Sequence, residues 1–153
     1  MVLLDQEEYQ VEVPALSAVK IAEKDYSSLV VGLEEKTFIE AVFTDEEGNQ
    51  SKEVVFFVPY KHLVLDQPEI TCEVSEAEDK YKINLRANCL ACFVELDFPD
   101  CDALFSDNYF HITEYNPKGI ELKKEDITGA PITDAKELKE KLQIRSLRDT
   151  YEY

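Results

Sequence analysis

Leu104-Phe105-Ser106-Asp107-Asn108-Tyr109-Phe110-His111-Ile112 places a polar Ser-Asp-Asn step between two apolar runs. Ser, Asp and Asn side chains hydrogen-bond nearby backbone and tolerate unusual φ and ψ, so this step predicts a turn that interrupts an extended run. The chain then resumes with Tyr109 and Phe110, two aromatics that can anchor a core. For both of them burial is the expected fate. Ser106, Asp107 and Asn108 are expected to fix the strand that enters Tyr109 and Phe110 through side-chain to backbone hydrogen bonds.

Outward from this step the chain reads as short strands separated by turn chemistry, the pattern of a β-sandwich. Residues 9–13 alternate apolar and polar and end at Pro14, while residues 16–22 are extended or briefly helical. Residues 37–43 and 52–58 flank the acidic turn Asp45-Glu46-Glu47-Gly48-Asn49, with Gly48 free to take positive φ, and predict a hairpin. Residues 60–68 hold little strand pattern and are bracketed by Pro59 and Pro68, so they read as a crossing between two modules. Further strands are expected near 70–75, 81–87, 92–98, 109–113, 119–123 and 143–147. Before the last of these, Asp134 and Glu137 have capping-box spacing, and Ala135, Leu138 and Leu142 mark one face of a short helix.

The chain has 153 residues, 44% of them hydrophobic, which fits one ordinary or two small globular domains. A formal charge of −17 opposes binding to nucleic-acid phosphates and to acidic membrane surfaces, so neither is expected as a partner. No apolar run approaches the roughly 20 residues that span a bilayer, and the first residues lack a basic segment followed by a long apolar one. A cytoplasmic location is the expectation. Met1, the single methionine, is compatible with an initiator set in front of a fragment.

Cys72, Cys89, Cys92 and Cys101 do not form the dense framework of a secreted scaffold. Cys89 and Cys92 have CxxC spacing, but no second knuckle follows and both histidines are distant; residues three apart on a strand point to opposite faces. Ordinary thiols are expected, with no metal. The acid-rich stretch around Asp97, Asp100 and Asp102, with Asp107 beyond, offers oxygen ligands but lacks the glycine and glutamate of a calcium loop, so a surface turn is the expectation. There is no GxSxG elbow and no phosphate-binding glycine loop, and His62 and His111 sit beside hydrophobic residues as structural histidines would.

The Phe105–Phe110 stretch, taken with the tail Leu142-Gln143-Ile144-Arg145-Ser146-Leu147-Arg148-Asp149-Thr150-Tyr151, resembles the C-terminal end of β-mannosidases of glycoside hydrolase family two. Val13-Pro14-Ala15-Leu16-Ser17 and Val55-Phe56-Phe57-Val58-Pro59 resemble the later part of the module before it. The resemblance implies an all-β chain of immunoglobulin-like β-sandwich type with one short helix near the C-terminus. It implies residues 1–59 as the incomplete end of one sandwich and 60–153 as a complete terminal one. An incomplete sandwich leaves an open edge and an uncovered apolar face, which would pack on the terminal module or pair with a second copy.

A retaining glycosidase needs two carboxylates about 5 Å apart across a sugar subsite. The family carries them in its catalytic barrel, which nothing here matches, so no residue inherits a catalytic role and no cofactor is implied. The implied function is that of a non-catalytic accessory region packing on the barrel and neighbouring modules. The alternative is a carbohydrate-binding module for β-linked glycans. The chain lacks tryptophan, the best sugar-stacking side chain, though Tyr60, Tyr109, Tyr115, Tyr151 and Tyr153 substitute in part. Tyr115, before Asn116 and Pro117, is the best exposed candidate for sugar contact. Arg145 and Arg148 are candidates for pairing with Asp107 or Asp149.

Overall fold

The computed structural model describes residues 2–151, and the chain divides into two units, Met1–Val64 and Leu65–Tyr153. The short 3-10 turn Tyr60–His62 belongs to the first unit. Tyr153, one of the tyrosines considered for sugar contact, lies outside the described residues.

In the first unit the one sheet among the described residues is the hairpin of β1 (Phe38–Thr44) and β2 (Gln50–Phe56), paired in antiparallel register from Phe38 opposite Phe56 to Thr44 opposite Gln50. Its turn closes through Asp45, whose carboxylate accepts the Glu47 and Asn49 N–H groups at 2.9 and 2.8 Å and the Asn49 amide at 2.8 Å. Gly48 stands at φ +86°, the left-handed conformation that glycine adopts without steric cost. Both hairpin faces carry apolar side chains, with Phe38, Val42, Val54 and Phe56 on one and Ile39, Phe43 and Val55 on the other. Only Val30, Val54 and Leu63 of this unit's described hydrophobic residues are buried, while Phe43 and Val55 remain 53% and 51% exposed.

The strand expected over 9–13 does not form. Those residues make no ladder, and Tyr9, Val11 and Val13 are all exposed. Alternation specifies a strand only where a neighbour accepts its backbone hydrogen bonds and covers its apolar face. Residues 16–22 hold no helix or strand either; a turn in which the Ser17 N–H and hydroxyl both donate to the Pro14 carbonyl bends the chain, with Leu16 at φ 58°.

The second unit is a two-layered β structure. One sheet has the order β3 (Ile70–Glu76), β4 (Lys80–Ala87), β8 (Lys118–Gly129), β6 (Cys101–Phe105), and the other has the order β7 (Phe110–Ile112), β5 (Ala91–Asp97), β9 (Gln143–Arg145). All the pairings are antiparallel. Strict alternation in β4 sends Tyr81, Ile83, Leu85 and Ala87 inward, where Tyr81 faces Leu122 and Ile83 faces Ile120 on β8. From the other sheet Val94, Leu96, Phe110 and Ile112 meet them in one buried cluster. A face of this kind is stabilised by the hydrophobic effect, at roughly 1.5–3 kcal/mol for each large side chain removed from water.

Strand β6 was hidden in the acid-rich stretch that sequence reasoning assigns to a surface turn. Cys101, Ala103 and Phe105 lean inward, but Asp102 points out and Leu104 is 70% exposed, so the apolar pattern is blurred. Pairing with β8 makes the strand: Cys101 lies opposite Gly129 and Ala103 opposite Ile127, and a bulge separates these from Phe105 opposite Leu122. Gly129 has φ +98°, a conformation strained for any other residue, and a Cβ there would stand a tight 3.3 Å from the Cys101 Cα, so both favour glycine.

The short helix α1 (Ala135–Lys141) begins where the capping residues place it. Asp134 Oδ1 accepts the Glu137 N–H at 2.8 Å, and Leu138 is fully buried against the core. The reciprocal half of the expected capping box is shifted by one residue. Glu137 accepts from the N–H and hydroxyl of Thr133, at 2.8 and 2.6 Å, and pairs with Lys141 at 2.8 Å.

Leu138→Ala is expected to lower the unfolding free energy of the second unit by about 2–5 kcal/mol, since the lost methylenes leave a cavity between helix and sheet. Urea unfolding followed by circular dichroism measures it. Lys141 first, and then Thr133, hold the Glu137 carboxyl down from 4.5 to about 2. A depressed acid stabilises the fold fully above its ordinary value and loses that effect as pH falls from about 4.5 towards 2. Glu137→Gln should therefore flatten the acid limb of the stability profile in that window and leave its neutral slope unchanged.

Candidate functional site

The Ser-Asp-Asn step joins β6 to β7, and its three side chains bond in three directions. Ser106 exchanges hydrogen bonds with Glu121 on β8, donating its N–H to the Glu121 carbonyl and accepting the Glu121 N–H on its hydroxyl, both at 2.9 Å. Asp107 accepts the Asn108 N–H at 2.9 Å and forms an ion pair with Lys118. Asn108 reaches across to β5: its Oδ1 accepts the Leu96 N–H at 2.8 Å and its Nδ2 donates to the Leu96 carbonyl at 2.9 Å. A carboxamide offers an acceptor and a donor as a peptide unit does, so Asn108 stands in for one residue of a neighbouring strand.

This clasp positions the two aromatics next in the chain. Tyr109 takes φ 61°, with its N–H donating to Asn108 Oδ1 at 3.1 Å. Phe110 is then buried in the core with Lys118 Nζ 5.1 Å from its ring centre. Tyr109 instead is 59% exposed, which corrects the expectation that both aromatics are core. Neighbouring residues at a strand entry face opposite sides, so one of the two had to leave.

A second irregularity lies opposite on β5. Ala91 pairs with Ile112 and Val94 with Phe110, so β5 carries one residue more than β7 between these pairs, a β-bulge. Phe93 occupies it at φ 49°, its N–H donating to His111 Nδ1 at 3.2 Å and its ring meeting the His111 ring edge-on at 4.8 Å. The extra residue lets Ala91 and Val94, three residues apart, both enter the core. Cys92 is buried as well, and burial pushes its thiol up to about 12. Cys89 is half-buried in the turn before β5, and all four cysteines are free thiols. Non-glycine residues in left-handed conformations cost on the order of 1–2 kcal/mol each. Phe93 and Tyr109 both border one hollow.

That hollow is an open depression of about 390 Å³ on the second unit. Phe93, Tyr109 and Leu147 supply its apolar lining, and Glu95, Arg145, Ser146, Asp149 and Thr150 supply polar groups. Glu95 links the residues around it. The Tyr109 hydroxyl donates to Glu95 Oε1 at 2.9 Å, which raises the phenol's pKa, and Arg145 Nε lies 3.2 Å from Glu95 Oε2. Arg145 is directly opposite Glu95 in the β5–β9 ladder and also lies 3.5 Å from Asp97.

Asp149 closes the other side, accepting the Ser146 N–H and hydroxyl at 2.7 and 2.8 Å in the capping box of the 3-10 turn Leu147–Thr150, and the Gln67 amide at 2.7 Å. Desolvation pushes its carboxyl upward, but these donors and the Arg148 charge prevail and leave it lowered.

The structure thus brings Tyr109, Arg145 and Asp149 together with Phe93 and Glu95, which sequence reasoning did not single out. Arg145 pairs with Glu95 and Asp97 rather than with Asp107 or Asp149. Arg148 donates its Nε to the Leu65 carbonyl at 3.0 Å and lies 5.2 Å from the Tyr151 ring, while acting on Asp149 through its charge. Tyr115, 57% exposed, sits in the loop between β7 and β8 and does not border the hollow. A signal for Glu95 did exist, since it and Asp97 are the two acids on an otherwise apolar strand. Its partner came from cross-strand register, which no single segment reveals. Among the described residues, no group of three or more His, Cys, Asp or Glu side chains is placed to hold a metal ion.

Residues 65–150 match the Ig-fold domain family of mannosidases, and residues 2–62 match the mannosidase Ig/CBM-like domain family. No curated protein matches the chain significantly. Among solved structures, a crystal structure of β-D-mannosidase from Dictyoglomus thermophilum is similar, with a TM-score of 0.61 and 25% identity. That similarity covers 74% of this chain and 13% of the other, so this chain spans a small part of that protein's length.

Asn108→Ala is expected to lower stability by about 2 kcal/mol, because it leaves the Leu96 N–H and carbonyl without the partners they have now. Asn108→Asp keeps the acceptor but sets a second acceptor against the Leu96 carbonyl, so it should rescue little. Hydrogen exchange at the Leu96 amide, together with urea unfolding, reads both effects.

Proposed function

The chain belongs to the Ig-fold domain family of mannosidases, and from that premise we propose that it is a non-catalytic accessory region of a β-mannosidase-like glycoside hydrolase, whose work is to pack against the enzyme's catalytic part. The observation that carries this reading is the β1–β2 hairpin, apolar on both faces, with Phe43 and Val55 left open on one face and Val42 on the other. Exposed apolar surface of this kind marks a protein-protein contact. The second unit supports the reading differently. Several of its acids are engaged in ion pairs, such as Glu95 with Arg145, Asp107 with Lys118 and Glu137 with Lys141. Of these, Glu137 is held down to about 2 by Lys141 and Thr133, whereas a glycosidase acid needs a raised pKa.

The test combines the purified chain with a β-mannosidase from which the matching region has been removed. Association that restores the truncated enzyme's thermal stability, and its loss in Phe43→Glu or Val55→Lys, is the expected result. The reading fails if the chain alone hydrolyses aryl β-mannosides, or if it ignores the truncated enzyme and instead sediments as a dimer that Phe43→Glu dissociates.

A further inference from the structure

We propose that the hollow between β5, β9 and the Leu147–Thr150 turn is a contact site for one neutral pyranose ring of a glycan, with the Tyr109 ring as the surface on which the sugar stacks. The inference goes beyond the packing role and does not depend on it.

Three observations converge on the hollow. Its two aromatics, Phe93 and Tyr109, are held at φ 49° and 61°. Strain of this sort is retained where the surroundings over-determine it, and it clusters at ligand contacts. The β5 bulge explains Phe93 through the core, because Ala91 and Val94, three residues apart, both become buried in it. The Asn108 clasp and the burial of Phe110 account for the backbone of Tyr109, and the conformation they impose presents its ring to solvent. The ring is also immobilised, since its hydroxyl is fixed on Glu95. A rigid aromatic face with a pinned polar tip loses little entropy when a flat ligand covers it.

The polar lining decides the ligand class. Glu95 and Asp149 supply carboxylate oxygens that keep acceptor capacity beyond the bonds they already make, and Arg145, paired with Glu95, supplies N–H donors to the same lining. Two carboxylates against one guanidinium leave the hollow net negative, which disfavours phosphate or carboxylate ligands. An amine would have to compete with Arg145, which already pairs with Glu95, the carboxylate beside the aromatic face. A polyol needs neighbouring donors and acceptors beside an apolar face and carries no charge of its own. Leu147 and Phe93 complete the apolar side for the C–H groups of a sugar ring. The volume of about 390 Å³ and the openness to solvent suit one ring of a longer chain, not an enclosed ligand.

The whole chain, isotopically labelled, should be titrated with β-1,4-manno-oligosaccharides and, separately, with cello-oligosaccharides, following amide chemical shifts. Glycerol at equal hydroxyl concentration and a short Arg-rich peptide serve as comparison ligands. The expected result is saturable movement of the Phe93, Glu95, Arg145 and Thr150 signals with at least one oligosaccharide, and affinity on the order of millimolar for one exposed ring face. Tyr109→Asn should weaken binding at least tenfold with the fold intact, because asparagine tolerates the left-handed backbone and removes only the ring. Tyr115→Ala should leave binding unchanged.

The proposal is overturned if no saturable shift appears with either sugar, if the shifts centre on Tyr115, if Tyr109→Asn binds as before, or if glycerol reproduces the effect. Saturation by the Arg-rich peptide alone would make the hollow a protein contact and overturn it equally. Because the titration uses the chain alone, its failure leaves the packing role standing, and failure of packing against the truncated enzyme leaves the sugar site standing.

Discussion

Two hydrogen bonds between the Asn108 carboxamide and the Leu96 peptide groups organise the second unit. They tie the turn between the sheets to the central strand of the smaller one, replacing a strand residue with a side chain. Without that substitution β5 would expose a polar backbone pair where β7 has not yet begun, leaving an N–H and a carbonyl unmet. With it, Phe110 drops into the core and Tyr109 is turned outward. The same clasp thus serves packing on one side of the sheet and builds the hollow on the other.

The two units solve the problem of apolar surface in opposite ways. In the second, inward faces of two sheets meet, and Leu138 from α1 seals the cluster; Tyr81, Ile83, Leu85 and Leu122 are almost wholly removed from water. In the first, a lone hairpin carries apolar residues on both faces, and burial among the described hydrophobic residues reaches only Val30, Val54 and Leu63. A two-stranded hairpin is marginal by itself and needs a further layer for independent stability. The first unit is therefore marked by the apolar surface it leaves exposed, and the second by the groups its closed core presents to solvent.

The electrostatics obey the same economy. In a chain with formal charge −17, several of the cations meet more than one partner. Arg145 lies between Glu95 and Asp97, Lys118 holds Asp107 while lying over Phe110, and Lys124 holds Glu76 while lying over Tyr81. Exposed pairs of this kind contribute little stability each, so their effect is mainly on the orientation of the side chains they hold. At Arg145 that orientation shapes the hollow.

The sequence by itself determined the elements whose information is local. Alternation in 81–87 set β4, Asp134 set the start of α1, Gly48 set the hairpin turn, and Ser106-Asp107-Asn108 announced a turn bonded through its side chains. Tertiary structure decided whatever depends on a partner distant in sequence. Residues 9–13 alternate as cleanly as β4 but have no strand to pair with, and Cys101–Phe105 alternates poorly yet becomes a strand because β8 is there to receive it. Likewise Tyr109 and Phe110 are both aromatic in sequence, and only the φ of Tyr109 and the clasp beneath it send one to solvent and the other to the core. Glu95 and Arg145 are far apart in the chain, and the β5–β9 register alone sets them face to face. Backbone hydrogen bonding and burial are pairwise, so a single segment specifies its own periodicity but never the neighbour that makes it matter.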